Sequence, residues 1–176
     1  MTRRRHRGTY TGGIPHPGED ATNDGRHIEA YFAQYPSFHF DASVQVTEEF
    51  HRLCDQFKWG KNRREQERKK LNEALVLQFN EFFGTNVDKY ESWKYLCQIL
   101  GVTEIPPSIS KCRAIIQTIH VNLVDLVEAR RLSESVTIFP NVHELRKYTL
   151  ESDKVFPKNH AKAGGVLKRE RERGVF

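Results

Sequence analysis

The chain has 176 residues, of which 38% are hydrophobic, 11% aromatic and 29% charged. This composition predicts one globular domain with extensions and excludes a chain that is disordered throughout. The formal net charge of +5 and the pI near 9.2 favour polyanionic partners, although so small an excess is also common in proteins that bind no nucleic acid.

Residues 1–25 are predicted to form a disordered basic tail. They contain five of the eleven glycines and almost no aliphatic side chains, so they cannot bury enough apolar surface to offset the entropy of ordering. The Arg3 to Arg7 cluster is either a nuclear-import or nucleic-acid contact, or simply a solvated basic segment. No apolar stretch follows it, so we predict neither secretion nor membrane insertion.

Aromatic residues dominate the next segment. A short helix is predicted near Arg26, ended by Pro36, and Phe38-His39-Phe40 is expected to lie as an extended strap over a helical core. A second helix should begin near Thr47 and end at Gly60, since its apolar residues share one face.

The third helix has a polar first half. We expect Asn62 to cap it and Gly84 to end it, with an apolar face only after Lys70. The first half therefore faces either solvent or a partner. Its basic residues form the candidate contact surface of the chain: Lys61, Arg63, Arg64, Arg68, Lys69 and Lys70.

Two further helices are predicted, one capped by Asp88 and ended by Gly101, the other capped by Ser108 or Ser110. The most apolar stretch, residues 114–127, is interpreted as the element around which the rest packs. Asn122 suits an N-cap and Asp125 the third helical position, so this stretch should form two helices that meet near His120.

The C-terminal third should add a β ribbon. Residues 136–139 form a β-type run, Asn141 caps one more helix, and residues 154–157 are a second short strand able to pair with the first. Residues 168–176 form a charged tail. The predicted fold is therefore mainly α: a compact multi-helix bundle over residues 26–167, a single domain with a short two-stranded ribbon.

Few residues suggest chemistry. His120 and Asp125 could form an acid–base site, but capping explains Asp125 equally well. His143-Glu144 lacks the second histidine of a zinc-protease helix, and Gly164-Gly165 is more typical of a turn or of tight helix packing than of a phosphate loop. We predict no cofactor, no metal site and no catalytic residue. The three cysteines fall on apolar helix faces, which favours free thiols in a reducing, intracellular compartment, cytoplasmic or nuclear.

Four segments together resemble a recurring group of fungal proteins: residues 31–36 (YFAQYP), 49–54 (EFHRLC), 120–127 (HVNLVDLV) and 155–158 (VFPK). The resemblance covers about Tyr31 to Leu167 and implies a fungal intracellular origin. It supplies no activity, substrate or site residue.

Three functions are left open. The favoured one is a non-enzymatic intracellular helical module that binds a protein partner. The first alternative is a nucleic-acid-associated protein that uses its basic segments. The second is an enzyme with a site near His120 and Asp125.

Overall fold

The structure is a computed structural model that describes residues 26–157 and 164–166. Within these ranges the chain forms seven helices and one two-stranded antiparallel sheet. The predicted fold class, a multi-helix bundle with a short β ribbon in the C-terminal third, is confirmed. The basic tail predicted at 1–25 and the charged tail predicted at 168–176 lie outside the described residues.

The helices and strands follow one another along the chain with short connections. They are α1 (His27–Phe32), α2 (Val46–Gln56), α3 (Lys61–Phe83), α4 (Tyr90–Ile99), α5 (Ile109–Ile116), β1 (His120–Val121), α6 (Leu123–Leu132), β2 (Ile138–Phe139) and α7 (Val142–Glu151). No helix in the described part of the chain combines the length and apolar character needed to cross a bilayer.

The central element is α3. It packs against α1, α4 and α6, while α5 packs against α4. Its buried face carries Leu71, Leu75, Phe79 and Phe83 in the heart of the hydrophobic core. The apolar stretch at 114–127, which we interpreted as the central element, contributes α6 to one side of α3.

That stretch is interrupted where the sequence predicted. Helix α5 ends at Ile116, β1 follows, and α6 begins after Asn122, whose side chain accepts hydrogen bonds from the backbone amides of Val124 and Asp125. The predicted N-caps Ser108 and Asn141 are also confirmed.

Three other helix ends differ from prediction. Asn62 lies inside α3, whose first turn opens from Gly60 in an extended conformation. Asp88 does not cap α4, because Lys89 holds that position and makes no side-chain bond. Helix α2 ends at Gln56, before Gly60, and the chain turns through Lys58 at φ 51°.

The β ribbon has a different partner from the predicted one. Strand β2 pairs with β1, in the register His120 with Phe139 and Val121 with Ile138. Residues 154–157 form no strand. The reason is the side chain of Lys154, which is buried and bonded to Asp125 and Tyr148, so that this segment is fixed by polar contacts.

The predicted aromatic strap is confirmed, and we define it as residues 38–45. Phe38 and Phe40 both stack on Phe32 of α1, at centroid distances of 5.7 and 4.4 Å. Two Glu-x-x-Arg pairs bond to its backbone: Glu49–Arg52 of α2, and Glu128–Arg131 of α6 through its arginine. The glycine pair 164–165 is tightly packed: a Cβ on Gly164 would lie 2.6 Å from the Thr85 side chain.

Candidate basic groove

An open groove of about 690 Å³ lies between α2, the first half of α3 and the turn that follows α7. We call it the basic groove. Four of the six predicted contact residues line it, together with two aromatic or imidazole side chains and two carboxylates. Its lining residues are Phe50, His51, Lys61, Arg64, Glu65, Arg68, Lys69 and Asp153.

The helical repeat explains which basic residues share the groove. Residues 61, 65 and 69 stand four apart in one row, and residues 64 and 68 stand four apart in the next, so both rows face the same side of α3. Arg63 and Lys70 lie on another side of the helix and both bind the carboxylate of Glu67. The structure therefore divides the predicted surface between two faces.

Glu67 is the residue that the sequence placed wrongly. We predicted no buried face in the first half of α3, yet the Glu67 side chain is fully buried. Tyr35 donates its hydroxyl hydrogen bond to it. Burial alone raises the pKa of this carboxyl, but the bonds from Tyr35 and Lys70 outweigh burial and hold the pKa below its usual value. Burial and the bond to Glu67 raise the pKa of Tyr35 to about 12.

Arg68 is the most enclosed cation of the groove. Its guanidinium lies 4.2 Å from the centroid of the Phe50 ring and binds the carboxylate of Asp153. His51 Nε2 lies 3.1 Å from the same carboxylate. Burial lowers the pKa of Arg68 from its usual value, and Asp153 opposes that change. We call the place between Arg68 and His51, at one end of the groove, the anion position. The carboxylate of Asp153 occupies it.

The other cations of the groove are more accessible. Arg64 binds the carbonyl of Trp59 and the carboxylate of Asp55, each at 2.8 Å. Lys61 and Lys69 are exposed, and neither forms an ion pair with the residues that the structure describes. These two lysines, with Arg64 beside them, can contact an anionic ligand without first losing a buried partner.

The region around His120 and Asp125 is a structural network. Asp125 accepts a hydrogen bond from Lys154 Nζ at 2.6 Å, and Tyr148 bonds the same ammonium at 2.8 Å. Burial alone lowers the pKa of Lys154, but these two bonds outweigh it and raise the pKa. The Nδ1 of His120 is buried without a hydrogen-bond partner in the described part of the chain. Asp125 thus bonds Lys154, and it makes no hydrogen bond to His120 Nδ1 among the described residues.

Within the described part of the chain, the cysteines and histidines form no cluster that could hold a metal ion. Cys54, Cys97 and Cys112 are free and buried, as the sequence predicted. Burial and the neighbouring Cys112 raise the pKa of Cys97 to about 12, which suppresses its thiolate. Among residues 26–157 and 164–166, no group of three or more His, Cys, Asp or Glu side chains is placed to hold a metal ion.

The glycine pair that could have formed a phosphate loop is already bonded. The amide of Gly164 donates to Asn80 Oδ1 at 3.0 Å, and that of Gly165 donates to the carbonyl of Thr85 at 3.1 Å. Of the two readings preferred from sequence, a turn or tight helix packing, the contacts of this pair match tight packing.

Sequence reasoning missed four residues of the groove: Phe50, His51, Glu65 and Asp153. Phe50 belongs to the shared apolar face predicted for the second helix, and its ring is buried, with Arg68 lying over it. His51 is its exposed neighbour. Asp153 is 85 residues from Arg68 in the chain, so no local pattern could have joined them. The spacing of four between the basic residues of α3 was the available signal.

The chain has no significant match to a known family model, to a curated protein or to a solved structure.

Proposed function

We propose that this protein is a non-enzymatic intracellular interaction module whose basic groove binds an acidic segment of a partner protein. The observation that carries the proposal is the groove itself. It gathers four basic side chains of one helix face around an anion position that already holds a carboxylate. Such a position favours an anionic group of a ligand, because a guanidinium and an imidazole can both donate to one acidic group.

The charge balance favours a protein segment over a nucleic acid. Carboxylates pair with two of the basic residues of the groove: Asp55 with Arg64, and Asp153 with Arg68. Glu65 also lines the groove. The remaining positive excess is small, whereas nucleic-acid surfaces neutralise many phosphates in succession. A peptide with acidic and apolar side chains is complementary to this groove, which is lined by basic side chains and by the Phe50 ring.

Direct titration with two labelled probes tests the proposal: an oligoglutamate peptide and a single-stranded oligonucleotide of equal net charge. We expect the peptide to bind and the double variant Lys61→Glu/Lys69→Glu to weaken that binding by about tenfold, since each reversal replaces an attraction with a repulsion near the ligand. The matched control is Lys89→Glu/Lys111→Glu, which makes the same charge change at exposed lysines outside the groove.

Two results would contradict the proposal. One is an equal loss of affinity in the control variant, which would show that net charge alone governs binding. The other is oligonucleotide binding that is tighter than peptide binding and equally sensitive to the groove variant, which would assign the groove to nucleic acid. Affinity capture from lysate with and without nuclease, using wild type and the groove variant side by side, then identifies the partner.

A further inference from the structure

The contact between Asp153 and the Arg68–His51 pair has the geometry of a bound ligand. Arg68 is the deeper group, with 24% of its side chain exposed, while 53% of the Asp153 side chain is exposed. The acid therefore approaches the cation from the solvent side of the groove. A ligand group coming from solvent would reach the guanidinium along the same path.

The backbone holds Asp153 in place for this contact. Its φ of 53° lies in the left-handed region, which aspartate, like glycine and asparagine, adopts more readily than most other residues. The next residue, Lys154, is anchored by its ammonium to Asp125 and by its carbonyl to Asn122. Only the side chain of Asp153 is free to leave the position, by rotating outward into solvent.

Because the position beside Arg68 and His51 already holds the carboxylate of Asp153, only some ligand groups can displace it. A ligand carboxylate would exchange one carboxylate for another and gain little, while still losing the entropy of association. A phosphoryl group carries a charge of about −1.5 to −2 and three acceptor oxygens, so it can bind the guanidinium and the imidazole together. Lys61 and Lys69 line the same groove and add to the positive charge around it.

We propose that the place held by Asp153, between Arg68 and His51, is the subsite for a phosphorylated side chain of the partner, and that Asp153 is an internal competitor for it. This inference rests on the proposed function, because it assigns the most enclosed position of the same groove. It predicts that the module reads phosphorylation within an acidic segment.

The test compares two peptides of equal length, one of glutamates only and one with a central phosphoserine among glutamates. Wild type should bind the phosphopeptide about tenfold more tightly. In Asp153→Gly, which suits the left-handed backbone and removes the carboxylate, both peptides should bind about two- to fivefold more tightly and by the same factor, since one competitor is lost for both. The charge control Glu91→Gln lies outside the groove and should change neither affinity.

Arg68 provides the second signature. In Arg68→Gln the preference for the phosphopeptide should disappear, while Arg68→Lys, which keeps the charge and loses the fork of donors, should retain part of it. Circular dichroism establishes that each variant is folded. Inorganic phosphate is the third probe, and it should compete only weakly.

The outcomes separate the two proposals. If the glutamate peptide binds and responds to Lys61→Glu/Lys69→Glu, but phosphoserine confers no preference or Asp153→Gly gives no gain, the subsite is wrong and the module stands. If inorganic phosphate binds as tightly as the phosphopeptide, the subsite serves free phosphate and the peptide assignment is overturned. If neither peptide binds wild type or Asp153→Gly, both proposals are wrong.

Discussion

Among the residues that the structure describes, three glutamates are buried, and each is compensated by cations and hydrogen-bond donors. Glu49 is paired with Arg52, Glu67 with Arg63 and Lys70, and Glu128 with Arg131. Backbone amides complete two of the sets: Asp41 donates to Glu49 and Val46 donates to Glu128. A buried carboxylate is costly unless it is paired and hydrogen-bonded, so each of these glutamates depends on its partners.

Glu128 and Arg131 form the most enclosed of these pairs, with side-chain exposures of 4% and 6%. Glu128→Ala would leave the guanidinium buried without its carboxylate and the Val46 amide without its acceptor. We expect a loss of about 3–5 kcal/mol in the free energy of unfolding, measured by urea denaturation. Glu91→Ala breaks the exposed pair with Lys94 and should cost less than about 1 kcal/mol. Equal costs in the two variants would show that burial does not set the value of the pair.

Glu67 makes a second prediction, about pH. The pKa of Glu67 in the folded protein lies below its usual value. The ionised carboxylate therefore stabilises the folded protein fully at pH values above the unfolded pKa of about 4.3. This stabilisation is lost as the pH falls through the pKa of the folded protein. Glu67→Gln cannot titrate. The difference in unfolding free energy between wild type and this variant should therefore be constant near neutral pH and shrink as the pH falls below about 4.3. A difference that grows in acid would contradict the assignment.

At the scale of single elements, the sequence predicted what depends on neighbouring residues. The break between α5 and α6 and the caps Ser108, Asn122 and Asn141 follow from side chains bonding amides two or three positions on. The basic rows of α3 were visible from their spacing in the same way. Asn62 and Asp88 fit the same pattern and failed, because a capping residue is used only where the chain actually turns.

The features that the sequence did not predict are those formed by distant residues. The burial of Glu67 depends on Tyr35, the pairing of β2 depends on β1, and the anion position of the groove depends on Asp153. In each case the deciding contact joins residues more than fifteen positions apart. A local pattern can show that a residue is suited to a role, but not which distant group will complete it.

Asn122 tests how much a cap is worth when it also has tertiary bonds. Its oxygen accepts from two amides of α6, and its Nδ2 donates to Thr149 Oγ1 and to the Lys154 carbonyl, each at 2.9 Å. Asn122→Ala should cost about 2–4 kcal/mol of unfolding free energy, since the cap and a buried donor set are both lost. Asn141→Ala removes an exposed cap and should cost about 1 kcal/mol. Asn122→Asp keeps the acceptor and loses the donor, so its cost in unfolding free energy should lie between those of Asn122→Ala and Asn141→Ala. If Asn122→Ala costs as little as Asn141→Ala, the tertiary bonds of Asn122 contribute nothing to stability.

At the scale of the whole molecule, side chains of distant helices act as caps. Gln78 of α3 accepts from the first two amides of α1, and Glu128 of α6 accepts from the first amide of α2. Neither α1 nor α2 has a side-chain cap of its own. These short helices are therefore stabilised by the bundle, which is the usual case for helices of such length. Side chains of α2 and of α6 likewise bond the backbone of the strap.

The two arginines that hold the strap should be energetically coupled. Arg52 of α2 bonds the carbonyl of His39, while Arg131 of α6 bonds the carbonyls of Ala42 and Val44. Arg52→Lys and Arg131→Lys each keep the charge beside the buried glutamate but lose the fork that reaches the strap. If either substitution alone releases the strap, the second substitution should lower the unfolding free energy by less than it does in the wild type. The double variant should then cost at least about 0.5 kcal/mol less than the two single costs combined, measured by urea denaturation.

The control combines Arg131→Lys with Lys94→Ala. These two residues share no partner, so their costs in unfolding free energy should be additive within about 0.5 kcal/mol. Additivity of the two arginine variants would mean that each holds its own part of the strap independently.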